Sequence, residues 1–375
     1  MSDPQITVTE PRVGPERLIV GLSGGVDSAV AARLLVDEGH QVEGLFMKNW
    51  EEDDTDGHCA AAEDLADARA VAEHLGIPLR TVNFATEYWD RVFERFLAEH
   101  RAGRTPNPDV LCNSEIKFES FLDHALTLGA TGIATGHYAR RRTGRDGHHL
   151  CLAVDSDKDQ TYFLHRLTRR QLGRSRFPLA GLRKGEVRRM AQRIGLRNAA
   201  KKDSTGICFV GERRFREFLE RFLPRTPGPI ETPDGAVIGE HRGIAFFTIG
   251  QRQGLGIGGV RGSREAPWFV ARKDPARQAL IVVQGTDHPL LFSRVVTATD
   301  LHWIAGSPPG DPPYPCRARL RHRQPLQDCL ILGYDQHRCQ VRFDRPQRAV
   351  TPGQAIVFYR ADECLGGAVV DRAGS

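Results

Sequence analysis

Residues 17–34, RLIVGLSGGVDSAVAARL, constrain the fold of this chain more than any other stretch. Residues 17–22 form a short apolar run typical of a buried β-strand, and Ser28 begins a run rich in Ala, Val and Leu with helical spacing. The residues between them, SGGVDS, must form the turn that joins strand and helix. The stretch therefore predicts a strand, a glycine-rich turn and a helix in immediate succession.

The turn has the features of a phosphate-binding loop. Gly24 and Gly25 remove Cβ atoms where backbone must approach a ligand closely, and a helix start offers unpaired N–H groups and a positive dipole end to an anion. Ser23 and Ser28 add hydroxyl donors, while Asp27 is suited either to cap the helix or to hold a magnesium ion on the same phosphates. The loop is not a Walker A motif, because no G-x-x-x-x-G-K-[ST] pattern and no suitably placed lysine occur. A well-capped helix after a glycine-rich turn, with no ligand, is the structural alternative.

Length and composition exclude several classes of protein. At 375 residues the chain exceeds the size at which single hydrophobic cores stop growing, so two or three domains are expected. No stretch of eighteen or more apolar residues occurs, and the first sixteen residues lack the basic-then-apolar pattern of a signal peptide. We therefore expect a cytoplasmic protein with no membrane segment.

The eight cysteines include no C-x-x-C pair, which argues against both a disulfide scaffold and a zinc ribbon. Any special cysteine is therefore expected to act chemically. The net charge of +5 is modest and matters only where basic residues cluster.

Strands and helices alternate along the first half of the chain. Beyond the first strand and helix, the predicted elements are strands at residues 41–47, 79–84 and 131–135, helices at 60–75 and 87–101, and a further helix starting at Asp155. This βαβαβα order predicts an α/β fold with a Rossmann-like, mostly parallel sheet covered by helices on both faces. Nucleotides bind such sheets outside the carboxyl ends of the strands, so Met47 is placed either to pack on an adenine or simply in the core.

The composition changes after residue 210, where prolines and glycines interrupt the chain. We predict three domains: an α/β domain at residues 1–210, a small strand-rich domain at 211–290 and a C-terminal β-barrel at 291–375. Within the barrel, residues 316–323 alternate strictly, so Arg317, Arg319, Arg321 and Arg323 would share one strand face at about 6.6 Å spacing. Such a row is either a solvated face or a surface for phosphates.

Two cysteines lie in sequences that favour reactivity. In TPNPDVLCN, two prolines delay a helix until about Asp109, so Cys112 falls near a helix N-terminus, where the dipole stabilises a thiolate. Asp109 is a candidate base for it. In KKDSTGICFVG, two lysines and a glycine make the surroundings of Cys208 cationic and flexible. Taken singly, either cysteine has an inert alternative, in a capped helix for Cys112 and in a core for Cys208.

The ordered set SGGVDS, FMKNW, TPNPDVLCN, ATGHYAR, DKDQTYFL and KKDSTGICF resembles the bacterial tRNA-specific 2-thiouridylase family over nearly the whole chain. The turn itself is similar to the PP-loop of the N-type ATP pyrophosphatases, which split ATP between its α- and β-phosphates and transfer AMP. The resemblance implies that ten residues bind ATP, namely Gly21, Leu22, Ser23, Gly24, Gly25, Val26, Asp27, Ser28, Met47 and Gly136.

The resemblance also assigns the remaining sites. It implies that Cys112 is the nucleophile and Cys208 the persulfide carrier. It places Asn107, Pro108 and Asp109 at the target uridine. It places further tRNA contacts at Lys158, Asp159, Gln160, Arg321 and His322, the last at a position where the family more often has tyrosine.

The expected activity is ATP-dependent 2-thiolation of the wobble uridine of tRNA, with ATP and Mg²⁺ as cofactors. The implied partners are the tRNA and a sulfur-relay or cysteine-desulfurase protein. An iron–sulfur cluster on the cysteines is an alternative that the sequence does not support. Two other functions remain open: a PP-loop amidotransferase or ligase such as a GMP, NAD or argininosuccinate synthetase, in which both cysteines would be dispensable, and a non-catalytic RNA-binding protein with a degenerate nucleotide fold.

Overall fold

The computed structural model describes residues 14–50, 60–202, 215–258 and 265–374. In these residues the strands follow the chain as β1 (Arg17–Gly21), β2 (Gln41–Lys48), β3 (Leu79–Asn83), β4 (Gly132–Ala134), β5 (Arg140–Gly144), β6 (Gly147–Cys151), β7 (Ser175–Arg176), β8 (Gly228–Glu231), β9 (Val237–His241), β10 (Trp268–Asp274), β11 (Ala279–Gln284), β12 (Phe292–Trp303), β13 (Tyr314–Arg319), β14 (Gln327–Tyr334), β15 (Arg338–Arg348), β16 (Ala355–Arg360) and β17 (Glu363–Gly374).

The helices of the same residues are α1 (Val26–Asp37), α2 (Ala60–Leu75), α3 (Ala85–Tyr88), α4 (Glu94–Arg101), α5 (Pro108–Leu111), α6 (Phe121–Thr127), α7 (Thr161–Leu164), α8 (Arg169–Gly173), α9 (Lys184–Arg193) and α10 (Phe215–Glu220). π-Helical segments at Trp89–Phe93 and Cys112–Ser120 join α3 to α4 and α5 to α6.

The N-terminal sheet is parallel, with strand order β3-β2-β1-β4-β7. Its central strand is buried on both faces: Leu18 and Val20 pack in one apolar cluster with α1, while Ile19 packs in another with Phe96 and Phe118. Alternate residues of β1 thus point to opposite layers of helices, as a doubly wound sheet requires. The predicted Rossmann-like parallel sheet is confirmed.

The middle part of the chain carries a separate four-stranded sheet of order β10-β11-β8-β9. Strands β10 and β11 form an antiparallel hairpin in this sheet. The apolar side chains of this sheet form a small core, which includes Ile230, Val270 and Leu280.

The C-terminal sheet closes into a six-stranded antiparallel barrel, because β12 pairs with β17 as well as with β15. A hairpin from the N-terminal half, β5–β6, extends this sheet by pairing with β17. Sequence analysis predicted neither β17 nor the β5–β6 hairpin. The hairpin is rich in arginine and histidine and shows no apolar alternation, so nothing local identified it.

Two predicted elements are shorter than expected. The barrel strand expected at residues 316–323 ends at Arg319, and residues 320–323 lie in a turn, so the proposed row of four arginines on one strand face is wrong. The helix expected from Asp155 begins only at Thr161. In the described part of the chain, no helix combines the length and apolar character needed to cross a membrane.

Candidate functional site

The glycine-rich turn follows β1, at the sheet edge where β2 and β4 also end. The chain leaves β1 for β2 on one side and returns through β4 on the other, so the turn lies at the topological switch point where α/β folds bind ligands. Helix α1 begins at Val26, two residues earlier than predicted, and Gly25 is its N-cap with no side-chain cap. Asp27 therefore lies in the first helical turn, and the prediction that it caps α1 is wrong.

Alternate residues of the turn face the core. Leu22, Gly24, Val26 and Ser28 are buried, which leaves their backbone rather than their side chains for a ligand. Gly24 has φ +72°, and a Cβ built there would lie 2.4 Å from the carbonyl oxygen of Asp64 in α2. Only glycine fits this position without displacing α2.

The two serines of the turn hold it in shape. Ser28 Oγ lies 3.2 Å from Ser23 Oγ, accepts a hydrogen bond from the Ser23 N–H and lies within donating distance of the Gly25 carbonyl oxygen. Ser23 is exposed, so its hydroxyl faces solvent at the mouth of the turn. The hydroxyls thus stabilise the loop as well as offering polar atoms at its rim.

Asp27 is bound by two residues that sequence analysis did not identify. Lys184, the first residue of α9, donates from Nζ to Oδ1 and Oδ2 of Asp27 at 2.8 and 2.7 Å, and the hydroxyl of Tyr138 donates to Oδ1 at 3.0 Å. The backbone N–H of Lys184 donates in turn to Asp155 Oδ2 at 2.7 Å. A lysine thus reaches the glycine-rich turn from a distant helix, which no motif in the sequence indicated.

This arrangement bears on the predicted magnesium site. Both oxygens of Asp27 are already engaged by the Lys184 ammonium. Among the residues that the structure describes, no three His, Cys, Asp or Glu side chains are grouped so that they could hold a metal. The protein side chains present here do not make a magnesium site of their own, and the cation that contacts Asp27 is Lys184.

The other predicted ATP residues line the same edge. Met47 lies near the end of β2, partly buried, with its methyl group 3.4 Å from the position of a Cβ at Gly21. Gly136 follows β4 and packs on the start of α1, where a Cβ would lie 2.7 Å from the Ser28 amide nitrogen. Close packing of backbone explains Gly136, and its contact with ATP stays a prediction.

Cys112 is near a helix N-terminus, as predicted. Asn107 caps α5, its side chain accepting a hydrogen bond from the Asp109 N–H at 3.1 Å, and the helix continues through Cys112. The cysteine is 0% exposed and belongs to the main apolar core. The same helical stretch reaches Phe121, whose ring lies 3.3 Å from a Cβ built at Gly21, so it packs directly against the end of β1.

Cys208 lies outside the described residues, so its juxtaposition with Cys112 stays a prediction. Of the described residues that precede it, Asn198 contacts the glycine-rich turn and Lys201 contacts α2. Asn198 Nδ2 donates to the Gly24 carbonyl oxygen at 2.9 Å, and Lys201 Nζ contacts Asp64 at 2.7 Å.

Of the three polar residues before α7, Asp159 lies in the interior, whereas Lys158 and Gln160 are partly exposed. Asp159 is 2% exposed, and its carboxylate accepts hydrogen bonds from the Ala153 N–H and the Thr161 hydroxyl. Burial raises the pKa of Asp159, against the effect of these hydrogen bonds. The side chain of Gln160 accepts from the Tyr138 N–H at 2.9 Å. In this conformation a direct tRNA contact by the Asp159 side chain is excluded, whereas Lys158 is partly exposed.

The predicted tRNA residues of the barrel lie in the turn after β13. Arg321 donates from Nη2 to Ala349 O at 3.1 Å and to Ile249 O at 3.4 Å, and burial lowers its pKa. His322 lies 2.7 Å through Nε2 from Asp159 O, and its ring centroid is 4.5 Å from that of Phe163. His322 is half-buried and Arg321 is exposed, so both residues stay predicted tRNA contacts.

Family models match the chain in three consecutive segments. They are described as a tRNA methyl transferase HUP domain at residues 16–212, a tRNA methyl transferase PRC-barrel domain at 216–284 and an aminomethyltransferase beta-barrel domain at 293–370. These matched segments follow the order of the three sheets.

Curated relatives match over almost their full length. The chain is 59% identical to the tRNA-specific 2-thiouridylase MnmA of Alcanivorax borkumensis over 95% of this chain and 97% of the relative. It is 58% identical to the protein of the same name from Pseudomonas aeruginosa, over 96% and 95%. Among solved structures, a 4-thiouridine synthetase–RNA complex with bound ATP matches at 20% identity and a TM-score of 0.33, covering 55% of this chain and 50% of that one. A TM-score of this size does not establish a shared fold.

Proposed function

The chain belongs to the tRNA-specific 2-thiouridylase family, and from this premise we propose that it converts the wobble uridine of tRNA to 2-thiouridine with ATP and protein-borne sulfur. The observation that carries the proposal is the packing of the Cys112 helical stretch, through Phe121, on the strand end that bears the phosphate-binding turn. A candidate nucleophile and a candidate adenylation loop thus belong to one structural unit.

The reaction needs activation because the C2 carbonyl of uracil is a poor electrophile. Transfer of AMP to its oxygen releases pyrophosphate and turns that oxygen into a good leaving group. In the proposal, the backbone N–H groups of the turn and the N-terminus of α1 bind the phosphates. The base must leave its stack to reach C2, and residues 107–109 are assigned to hold it there.

Sulfur then replaces the activated oxygen. We assign the persulfide to Cys208, whose terminal sulfur attacks C2 while AMP departs. Cys112 then attacks the Cys208 sulfur of the C2–S–S–Cys208 intermediate, which breaks the S–S bond, leaves the sulfur on C2 and forms a Cys112–Cys208 disulfide. In the alternative route, Cys112 attacks the Cys208 sulfur of the persulfide first, which forms the same disulfide and releases hydrosulfide, and the hydrosulfide adds to C2 as AMP departs. In either route the two electrons that reduce the transferred sulfur come from Cys112 and Cys208, which are oxidised to the disulfide.

Two further components are proposed by class only. A sulfur-relay or cysteine-desulfurase protein would load the persulfide. Magnesium is expected to enter with the ATP phosphates. No step is assigned to it, because Lys184 already donates to both carboxylate oxygens of Asp27. The sites at Lys158, Gln160, Arg321 and His322 are proposed as tRNA contacts in addition to residues 107–109.

Mass spectrometry of tRNA nucleosides tests the function directly. Purified protein incubated with unmodified tRNA, ATP, magnesium and sulfide should yield 2-thiouridine, with AMP and pyrophosphate formed in step. Omission of ATP should abolish the product. ATP turnover without any thiolated nucleoside would favour the PP-loop ligase alternative, and absence of ATP–pyrophosphate exchange with tRNA would favour the non-catalytic one.

A further inference from the structure

Two cysteines lie opposite each other on neighbouring strands of the C-terminal barrel. Cys316 of β13 and Cys329 of β14 are register partners, and their Sγ atoms are 3.6 Å apart. Directly opposite residues of antiparallel strands have Cα atoms about 4.5 to 5.5 Å apart, and a disulfide needs a Cα separation of about 4.4 to 6.8 Å. The backbone of this strand pair therefore already has the spacing that a disulfide requires.

The two thiols differ in their access to solvent. Among the six cysteines in the part of the chain that the structure describes, Cys316 is partly exposed and the other five are buried. Cys329 is 5% exposed and packs among the apolar side chains of the barrel core. A small oxidant in solution therefore reaches Cys316 first, and Cys329 is the thiol in contact with it.

The two thiols also differ in which one keeps its proton. The hydrogen bond with Cys316 raises the pKa of Cys329, and burial raises it further. A peroxide oxidises a thiolate much faster than a thiol, so Cys329 is protected while Cys316 is reduced. Exposure and protonation thus both make Cys316 the site of first oxidation and Cys329 the resolving thiol.

A third thiol lies on the next strand, but the register does not place it opposite either of the two. Cys339 of β15 is the partner of Tyr334, and the β15 residue opposite Cys329 is Phe343. Cys339 is also buried, and burial together with the neighbouring Cys316 raises its pKa to about 12. Strand pairing therefore selects Cys329 over Cys339 as the partner of Cys316.

We propose that Cys316 and Cys329 form a reversible disulfide when the protein meets hydrogen peroxide, and that this bond restrains the turn between β13 and β14. The Cys316 sulfur attacks one peroxide oxygen, the O–O bond breaks, and Cys316 becomes a sulfenic acid as one water leaves. The Cys329 sulfur then attacks the Cys316 sulfur, and the displaced hydroxyl group leaves as a second water with the Cys329 proton. Two thiols thus lose two hydrogen atoms, and the peroxide is reduced to two water molecules.

The bond would close a loop that contains the whole turn at residues 320–326, including Arg321 and His322. A cross-link of this kind removes conformational entropy from the unfolded chain and limits local opening of the hairpin. The oxidised protein should therefore have a higher urea midpoint than the reduced protein, and slower amide hydrogen exchange at residues 320–326. The inference requires no catalysis, so its outcome is independent of the proposed function.

Mass spectrometry of a non-reduced tryptic digest tests the connectivity. Trypsin places the three cysteines in separate peptides, which are residues 295–317, 324–338 and 339–342. Reduced full-length protein is treated with hydrogen peroxide, and its remaining thiols are blocked with N-ethylmaleimide before digestion. We expect peptides 295–317 and 324–338 to be joined, with a mass equal to their sum less two hydrogen atoms, and to be separated again by dithiothreitol.

Two variants test the order of oxidation. Cys329→Ala should leave Cys316 as a sulfenic acid, which dimedone labels on peptide 295–317. Cys339→Ala is the matched control, because it removes a buried cysteine of the adjacent strand; it should retain the wild-type cross-link.

Three results would overturn the inference in the folded wild-type protein: a cross-link from peptide 295–317 to 339–342, oxidation of Cys316 to sulfinic acid with no cross-link, or a cross-link that forms only in urea. An unchanged urea midpoint together with unchanged exchange at residues 320–326 in the cross-linked protein would overturn the proposed restraint of the turn.

Discussion

Lys184 Nζ lies 2.7 Å from Oδ2 and 2.8 Å from Oδ1 of Asp27, although 157 residues separate them in the chain. The lysine side chain is 11% exposed and the aspartate 30%, so the pair lies at the edge of the core beside the glycine-rich turn. A lysine in this position supplies positive charge where the N-terminus of α1 already favours an anion.

Removal of either partner should impair adenylation. Asp27→Ala leaves the Lys184 charge partly buried without its carboxylate, and Lys184→Met leaves Asp27 as an unneutralised negative charge beside the phosphates. We expect pyrophosphate release to fall by roughly 10²-fold in each variant, with tRNA binding nearly unchanged. Arg33→Ala is the control, because Arg33 pairs with Asp37 on the exposed face of the same helix. Undiminished pyrophosphate release in Asp27→Ala would refute the assignment.

Cys112→Ser and Cys208→Ser should have different defects in sulfur transfer. Cys112→Ser should still accept sulfur at Cys208, seen by mass spectrometry as one added sulfur atom on the peptide of residues 203–213, yet form no 2-thiouridine with the physiological donor. Cys208→Ser should accept no sulfur on that peptide and should be partly rescued by free sulfide. Adenylation should survive in both variants. Normal thiolation by Cys112→Ser, or a persulfide found on Cys112 and never on Cys208, would show that the roles are wrong.

Arg319→Ala and Arg323→Ala should have different effects, because Arg319 is buried and Arg323 is exposed. The Arg319 side chain is 9% exposed, lies 3.5 Å from the buried Asp159 and stacks 4.9 Å from the Tyr359 ring centroid. Loss of one partner from a buried ion pair costs roughly 3–5 kcal/mol, so Arg319→Ala should lower the urea midpoint. Its tRNA binding should keep the wild-type salt dependence.

Arg323 is exposed in the turn after β13. If it contacts a tRNA phosphate, Arg323→Ala should reduce the slope of log affinity against log salt by roughly 0.7 to 0.9, with the urea midpoint unchanged. Filter binding over a series of salt concentrations measures the slope. An unchanged slope in Arg323→Ala would indicate that Arg323 is a solvated surface residue and contacts no tRNA phosphate.

His100 should make stability depend on pH. It is buried between α4 and the middle part of the chain, with Nδ1 3.0 Å from Ala245 O. Burial lowers its pKa to about 4, and the charge of Lys273 acts in the same direction. In the unfolded chain His100 takes up a proton below a pH of about 6.5, whereas in the folded protein it does so only near pH 4. The contribution of His100 to the free energy of unfolding is therefore fully present above pH 6.5 and is lost as the pH falls towards 4.

A shift from 6.5 to about 4 corresponds to roughly 3 kcal/mol of lost stability at the low end of this window. His100→Gln should therefore lose less stability than wild type between pH 6.5 and 4, while His337→Gln, at an exposed position, should follow wild type. Urea midpoints at several pH values measure the difference. Identical pH dependence in His100→Gln and wild type would contradict this prediction.

Much of the fold followed from short stretches of sequence. The SGGVDS turn, the parallel strands around it and the helix start near Cys112 were predictable because strand, turn and cap are set by hydrogen bonds and side-chain preferences within a few residues. The family was predictable for the same reason, since six short motifs in one order carry it. The strand and helix boundaries were less accurate where local preference met packing, as at Arg319 and at Asp155.

Three relationships depended on the folded chain instead. Lys184 reaches Asp27 across 157 residues, Glu363 pairs with His149 across 214, and Gln354 meets Thr105 across 249. Nothing local distinguishes Lys184 from the other lysines, or Gln354 from the other glutamines, because backbone preferences report only on near neighbours. These contacts form when the α/β, middle and barrel parts pack together, and that packing determines which distant polar groups become partners at the candidate site.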